Sequence, residues 1–144
     1  MTAPVQPTHA TVVAQWRSGR GWRAVLLFGP PGAGKSDLAL RLIARGWRLV
    51  SDDYAHVFAS GGALYARAPE TIEGRIEVRG VGVTPSCALG LARAVLAVEL
   101  SDEPFERMPE PETRVLDGVS VPLLHLNPRE ASAGEKVAAA IARL

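Results

Sequence analysis

Between an apolar run ending at Phe28 and an amphipathic stretch beginning at Lys35, the chain reads Gly29-Pro30-Pro31-Gly32-Ala33-Gly34-Lys35-Ser36, which fits G-x-x-x-x-G-K-[ST] at every position. Such a turn grips phosphate. Glycines let successive backbone N–H groups turn inward, and the helix that follows adds the unpaired donors and partial positive charge of its N-terminus. Lys35 would reach the β- and γ-phosphates of a nucleotide as a mobile point charge, and the Ser36 hydroxyl would coordinate Mg²⁺. Two carboxylates, Asp52 and Asp53, follow at the end of a short apolar segment. Consecutive residues of a strand face opposite ways, so one can serve the metal or its waters while the other meets a second substrate. Spacing does not say which does which, and an acidic turn after a strand accounts for the pair equally simply. Farther on, Glu77 alternates with Arg75 and Arg79 ahead of Gly80-Val81-Gly82-Val83. By spacing alone Glu77 is either a metal ligand or one charge of a solvated edge strand.

These residues need elements to hold them. Residues 23–28 read as a buried strand, 29–34 as a turn, and 35–44 as a helix with Leu38, Leu42 and Ile43 on one face, stopped by Gly46. A strand at residues 9–15 closes on residues 23–28 through the turn 17–21, and 47–50 forms the strand that ends at Ser51-Asp52-Asp53. A strand pair around Gly61-Gly62 follows over residues 54–66, then strands at 75–79, 92–100 and 119–126, and a last helix at 129–143. The mixture predicts an α/β architecture. The Pro/Glu-rich stretch 103–112 suits an exposed loop.

Composition narrows the function classes. A chain of 144 residues, 47% hydrophobic and 22% charged, has the profile of one domain spanning residues 1–144. A net charge of +1 supplies no general basic field for nucleic acid, so a charged ligand must be held locally. One cysteine, Cys87, allows no internal disulfide and no thiolate metal cluster. The longest apolar runs, 24–28 and 94–98, have strand length, and residues 1–8, with two prolines, match no secretory leader. No membrane association and a cytoplasmic location are expected, with residues 1–8 flexible. Trp16, Trp22 and Trp47 read as packing residues, and His56, His125 and Cys87 as structural or surface groups.

Taken in order, the run 29–40 (GPPGAGKSDLAL), the segment 45–53 (RGWRLVSDD) and the segment 76–83 (IEVRGVGV) resemble the catalytic C-terminal domain of HPr kinase/phosphorylase, with the likeness running from about His9 to Val121. The resemblance implies a P-loop core with a mixed sheet and flanking helices, like that of phosphoenolpyruvate carboxykinase. It implies transfer of the ATP γ-phosphoryl group to a serine of an HPr-like phosphocarrier of a phosphotransferase system, with Mg²⁺, in a homo-oligomer, generally a hexamer. It marks His9, Lys35, Asp53 and Arg107 as catalytic. Gly29 through Ser36 would bind ATP, and Ser36 and Glu77 would hold the metal with Asp52 beside them. In that scheme Asp53 takes the proton of the serine hydroxyl, and Arg107 neutralises charge on the phosphoryl group in flight.

The family also runs phosphorolysis, but its basic, glycine-containing loop tied to that reaction is not matched where this chain reads Val121-Pro122-Leu123-Leu124-His125-Leu126-Asn127-Pro128-Arg129. With only eight residues before His9, the chain resembles the short form known from alphaproteobacteria, which lacks the family's N-terminal domain. Two other functions fit the phosphate loop: a small-metabolite kinase, or a non-catalytic module in which ATP orders a loop for a partner.

Overall fold

Strands buried on both faces read as unbroken apolar runs rather than as alternation, and residues 24–28 and 94–98 lie within two such strands. The computed structural model describes residues 6–144, so most of the expected flexible segment 1–8 lies outside the described residues. Thr8, at its end, is paired within β1 (Thr8–His9).

The chain continues as β2 (Thr11–Arg17), β3 (Gly21–Phe28), α1 (Lys35–Ile43), β4 (Arg48–Ser51), β5 (Tyr54–Ser60), β6 (Ala63–Arg67), β7 (Arg75–Val78), β8 (Gly82–Pro85), β9 (Ala92–Leu100), β10 (Glu112–Leu116), β11 (Val119–Leu126) and α2 (Ala133–Ala142). Nine strands form one mixed sheet, seven of them in the order β1-β5-β6-β9-β3-β2-β4, with β11 joined to β9 and β10 to β11. β9 runs parallel to β3 along one edge; its other edge is shared, β6 pairing at Arg93 and β11 at residues 97–100. The sheet therefore forks at β9. The two hairpins that leave the fork, β5–β6 and β10–β11, meet again where the Ala59 N–H donates to Asp117 Oδ2 at 2.7 Å. β7 and β8 form a separate two-stranded ribbon.

The architecture is thus a mixed sheet with two helices among the described residues, more strand-rich than the expected alternation of strands and helices. The reason lies in how the two sheet faces are covered. Val13, Val25, Leu27 and Val98 face Leu38 and Leu42 of α1 and Val137 and Ile141 of α2. The opposite face, with Val12, Ala14, Leu26 and Ala97, is closed by Ala55, Leu64 and Ala66 of the β5–β6 hairpin instead of by further helices. α1 ends where Gly46 takes φ +97° and the Trp47 N–H returns to the Leu42 carbonyl at 3.2 Å. At the far end of the sheet the buried Arg23 donates to the carbonyls of Ile141 and Leu144, compensating the C-terminus of α2. Burial, and the neighbouring Arg20, Arg17 and Arg93, lower its pKa. Leu38, fully buried, ties α1 to the sheet and so fixes the turn before it. Leu38→Ala is expected to lose ~2–5 kcal/mol of stability, read from urea denaturation.

Two strands and one helix boundary depart from expectation. β8 carries Gly82 and ends in Pro85, and β10 begins within the acidic, proline-rich run; neither has an apolar pattern to announce it. The last helix starts at Ala133 rather than at 129, because Asn127 Oδ1 accepts the Arg129 N–H at 3.0 Å and closes a turn over Pro128.

Candidate active site

Glycine carries the 29–34 turn between β3 and α1 for stated steric reasons. A Cβ on Gly29 would lie 2.9 Å from Ala33 Cβ and 3.3 Å from the Leu100 carbonyl oxygen, and Gly34, at φ +102°, is the N-cap of α1 with no side chain capping the helix. The first α-helical bond runs from the Leu38 N–H to the Gly34 carbonyl, which leaves the amides of Lys35, Ser36 and Asp37 without helical partners at the positive end of the helix dipole. They border a cavity of about 590 Å³ lined also by Asp53, Glu77, Arg79 and Arg129. Gly29→Ala should cost ~1–3 kcal/mol through overpacking and lower the melting temperature in a thermal scan.

Lys35 is 6% exposed, and its ammonium donates to the carbonyls of Gly29 at 2.7 Å and Pro30 at 3.1 Å. The charge is held inside the curl of its own turn, one proton of three still available. Next to it the Ser36 hydroxyl donates to Asp52 Oδ1 at 2.6 Å. Asp52 is 8% exposed and both its carboxylate oxygens accept hydrogen bonds: Oδ1 also accepts from Thr11 Oγ1 at 3.2 Å, and Oδ2 accepts the Glu77 N–H at 2.9 Å.

Asp53 turns the other way. Its backbone has φ +68°, a left-handed conformation that Asp tolerates better than most residues, and its N–H donates to Thr11 Oγ1 at 3.1 Å. Its exposed carboxylate stands at the cavity and meets His9 Nε2 at 2.8 Å, with the imidazole 5.1 Å from the Tyr54 ring. The two aspartates divide, Asp52 buried against Ser36 and Asp53 open beside His9, but not by strand alternation: β4 ends at Ser51, and the left-handed turn at Asp53 separates the two carboxylates.

Of the residues singled out in the sequence, the structure brings His9, Gly32, Ala33, Gly34, Lys35, Ser36, Asp52, Asp53 and the exposed Glu77 to one side of the sheet around this cavity. Gly29 holds Lys35 through its carbonyl, Pro31 also lines the cavity, and Pro30 lines a second hollow of about 300 Å³ that shares Pro31, Gly32, Ala33, Pro128 and Arg129 with the first. Arg107 is not among them: it is exposed on the irregular segment between β9 and β10 and lines neither space.

Sequence reasoning missed three contributors. Arg79, grouped there with edge-strand charges, reaches over the turn, its Nη2 3.9 Å from where a Gly32 Cβ would stand. Arg129, expected inside a helix, enters the cavity because the Asn127-Pro128 turn releases it, and the Asn-Pro dipeptide was the available signal. Thr11, read as a β-branched strand former, bonds both aspartates. The other conspicuous side chains have no part in the site: Trp47 is core, Trp16 is 56% exposed, Arg48 lies over Trp22, and His125 pairs with Glu112.

No group of three or more His, Cys, Asp or Glu side chains among the described residues forms a metal cage. The donors beside the turn are a hydroxyl and carboxylates, hard oxygen ligands of the kind Mg²⁺ takes in ones and twos alongside substrate phosphates. The set fits that ion.

A protein with this turn and this carboxylate pair on a forked mixed sheet has known counterparts. The family described as HPr Serine kinase C-terminal domain matches residues 3–90, and the chain belongs to that family. The match spans His9 through Glu77 and Arg79 and stops before Arg107. An HPr kinase/phosphorylase of Clostridium perfringens is 40% identical over 87 residues, covering 60% of this chain and 27% of that protein. Its counterpart in Streptococcus thermophilus is 36% identical over 115 residues, 71% of this chain and 37% of that protein. The chain thus spans well under half the length of these relatives. The solved Hpr(Ser) kinase/phosphatase from Coxiella burnetii superposes with a TM-score of 0.80 over 96% of this chain and 95% of that one at 22% identity, a likeness of fold. No helix among the described residues is long and apolar enough to cross a membrane.

Proposed function

We propose that the protein is an ATP-dependent serine kinase acting on an HPr-like phosphocarrier. The observation that carries this reading is the division of the adjacent aspartates: one carboxylate buried on the hydroxyl that follows the glycine turn, its neighbour exposed at the cavity with a histidine. A nucleotide sensor needs only the first. Transfer to a hydroxyl needs both.

Gly29 through Ser36 form the phosphate-binding loop, the free amides of α1 and the Lys35 ammonium facing the β- and γ-phosphates of ATP. Ser36, with Asp52 and Glu77, would hold Mg²⁺, which neutralises phosphate charge when bound. Asp53 accepts the proton of the acceptor serine as its oxygen bonds to the γ-phosphorus and the bond to the β-phosphate oxygen breaks, leaving ADP. His9 orients the Asp53 carboxylate. Arg79 and Arg129 supply positive charge to the cavity, a role the resemblance gave to Arg107. For Arg107 to act, the exposed segment that carries it must fold over the cavity.

Membership of the family supports the phosphocarrier as acceptor, and the open position of Asp53 fits a protein substrate better than a metabolite enclosed by a lid. The test is incubation with γ-labelled ATP, Mg²⁺ and a choice of HPr-like proteins and small hydroxylic metabolites. Label is expected on a serine of HPr; label on a small acceptor, or on a histidine, overturns the proposal.

A further inference from the structure

We infer that Thr11 is a positioning residue that sets the two aspartates at their separate tasks, an inference that rests on the kinase reading for its catalytic consequence. Thr11 opens β2 and is fully buried. It stands two residues after His9, with Ala10 between them turned into the core. His9 and Thr11 thus reach the same 52–53 turn from one short stretch of chain. His9 Nε2 meets the Asp53 carboxylate at 2.8 Å, while Thr11 Oγ1 accepts the Asp53 N–H at 3.1 Å and donates to Asp52 Oδ1 at 3.2 Å.

A hydroxyl carries one proton and two lone pairs, so Thr11 makes both bonds at once. The consequence is a mechanical coupling. The bond to the Asp53 amide supports the left-handed backbone, φ +68°, that turns the Asp53 carboxylate out toward the cavity and His9. The bond to Asp52 Oδ1 aligns the same oxygen that receives the Ser36 hydroxyl at 2.6 Å. Asp52 is in turn held from its other oxygen by the Glu77 amide at 2.9 Å, so its orientation is fixed from three directions. Thr11 makes no hydrogen bond to Lys35 and does not line the cavity of about 590 Å³. It acts through the aspartates alone; without it Asp52 is still held by the Ser36 hydroxyl and the Glu77 amide, whereas the Asp53 amide loses its side-chain partner, so the larger effect falls on transfer and the smaller on the grip on nucleotide.

Thr11→Val removes the hydroxyl at nearly constant shape, and Thr11→Ser restores it. Two readouts are taken on the full chain: steady-state transfer to HPr with ATP varied, and hydrogen exchange of the Asp53 amide by NMR. Thr11→Val is expected to lower kcat by ~10²-fold, the penalty of a misplaced catalytic group. KM for ATP should stay within about threefold, and Asp53 amide protection should fall by about tenfold with β3 amides unchanged. Thr11→Ser should keep both readouts within about threefold of wild type.

A merely structural role would weaken β3 protection too and would not separate kcat from KM. Normal kcat or unchanged Asp53 exchange in Thr11→Val overturns the inference, as does a Thr11→Ser variant that fails equally. Should Thr11→Val not fold, Thr11→Cys, with its far weaker hydrogen-bonding group, takes its place under the same criteria. If the wild type transfers no label to HPr, the kinase reading falls by itself, and the exchange measurement still decides whether Thr11 holds the turn.

Discussion

Asp53→Asn should reduce transfer to the acceptor serine by ~10²–10⁴-fold, the range a positioned general base contributes. The substitution conserves shape and can keep the contact with His9, yet an amide oxygen does not take a proton from a serine at neutral pH. Nothing in the phosphate grip depends on the Asp53 carboxylate: Lys35 is held by the Gly29 and Pro30 carbonyls, and Ser36 bonds to Asp52. Affinity for ATP is therefore expected to stay within about threefold while kcat falls. Equilibrium binding of ATP beside single-turnover transfer checks both halves. Retained turnover would remove Asp53 from the chemistry and leave its contact with His9 as a surface hydrogen bond. Asp53 also sits at φ +68°, a backbone state that costs a non-glycine residue on the order of 1–3 kcal/mol and is kept where surrounding bonds enforce it. Asp53→Gly could relieve part of that cost, so a variant both more stable and inactive would mark the residue as one held for function.

Lys35→Met carries the other large effect, and it should act on binding and turnover together. The ammonium is the one charge inside the curl of the glycine turn. Losing a donor aimed at developing phosphate charge costs ~10²–10³-fold in kcat, and a charge-assisted hydrogen bond lost from the bound state adds ~1.5–3 kcal/mol to binding. Two carbonyls that now accept from Lys35 would turn to water, so the loop should also loosen. Loss of kcat and of ATP affinity by transfer assay and calorimetry is the expected outcome, in contrast to the kcat-only loss at Asp53. The pair of variants thus separates gripping from transfer.

The parts legible in the sequence were those enforced by local rules. A glycine turn between an apolar strand and an amphipathic helix has few conformations open to it, and residues 29–34 take the expected place between β3 and α1. The 52–53 pair was legible as two carboxylates closing a strand, but the alternation expected to part them does not apply, because β4 ends at Ser51 and a left-handed turn at Asp53 parts them; which carboxylate is buried depends on Ser36 and the Glu77 amide, neither of which is near in sequence. Thr11 was hidden for a related reason. Its type and neighbours, Val12 and Val13, say strand, and only the tertiary approach of β4 to β2 gives its hydroxyl two partners. Arg129 was hidden by helix periodicity that extends past the point where the Asn127 side chain takes over the backbone.

The fold was partly legible. Unbroken apolar runs announced β3 and β9 but could not say that a strand hairpin, not a helix, covers their second face. The fork at β9 depends on pairings between residues 26 apart, such as Ala66 with Ala92 and Leu126 with Leu100, for which no periodicity speaks.

Calorimetric titration of the full chain with ATP in the presence of Mg²⁺ tests the central claim most directly, since every later step requires the glycine turn to hold the nucleotide. A saturable heat for one site per chain is expected, with affinity held within about threefold in Asp53→Asn and weakened by roughly 10- to 150-fold in Lys35→Met. A flat trace from the wild type would contradict it.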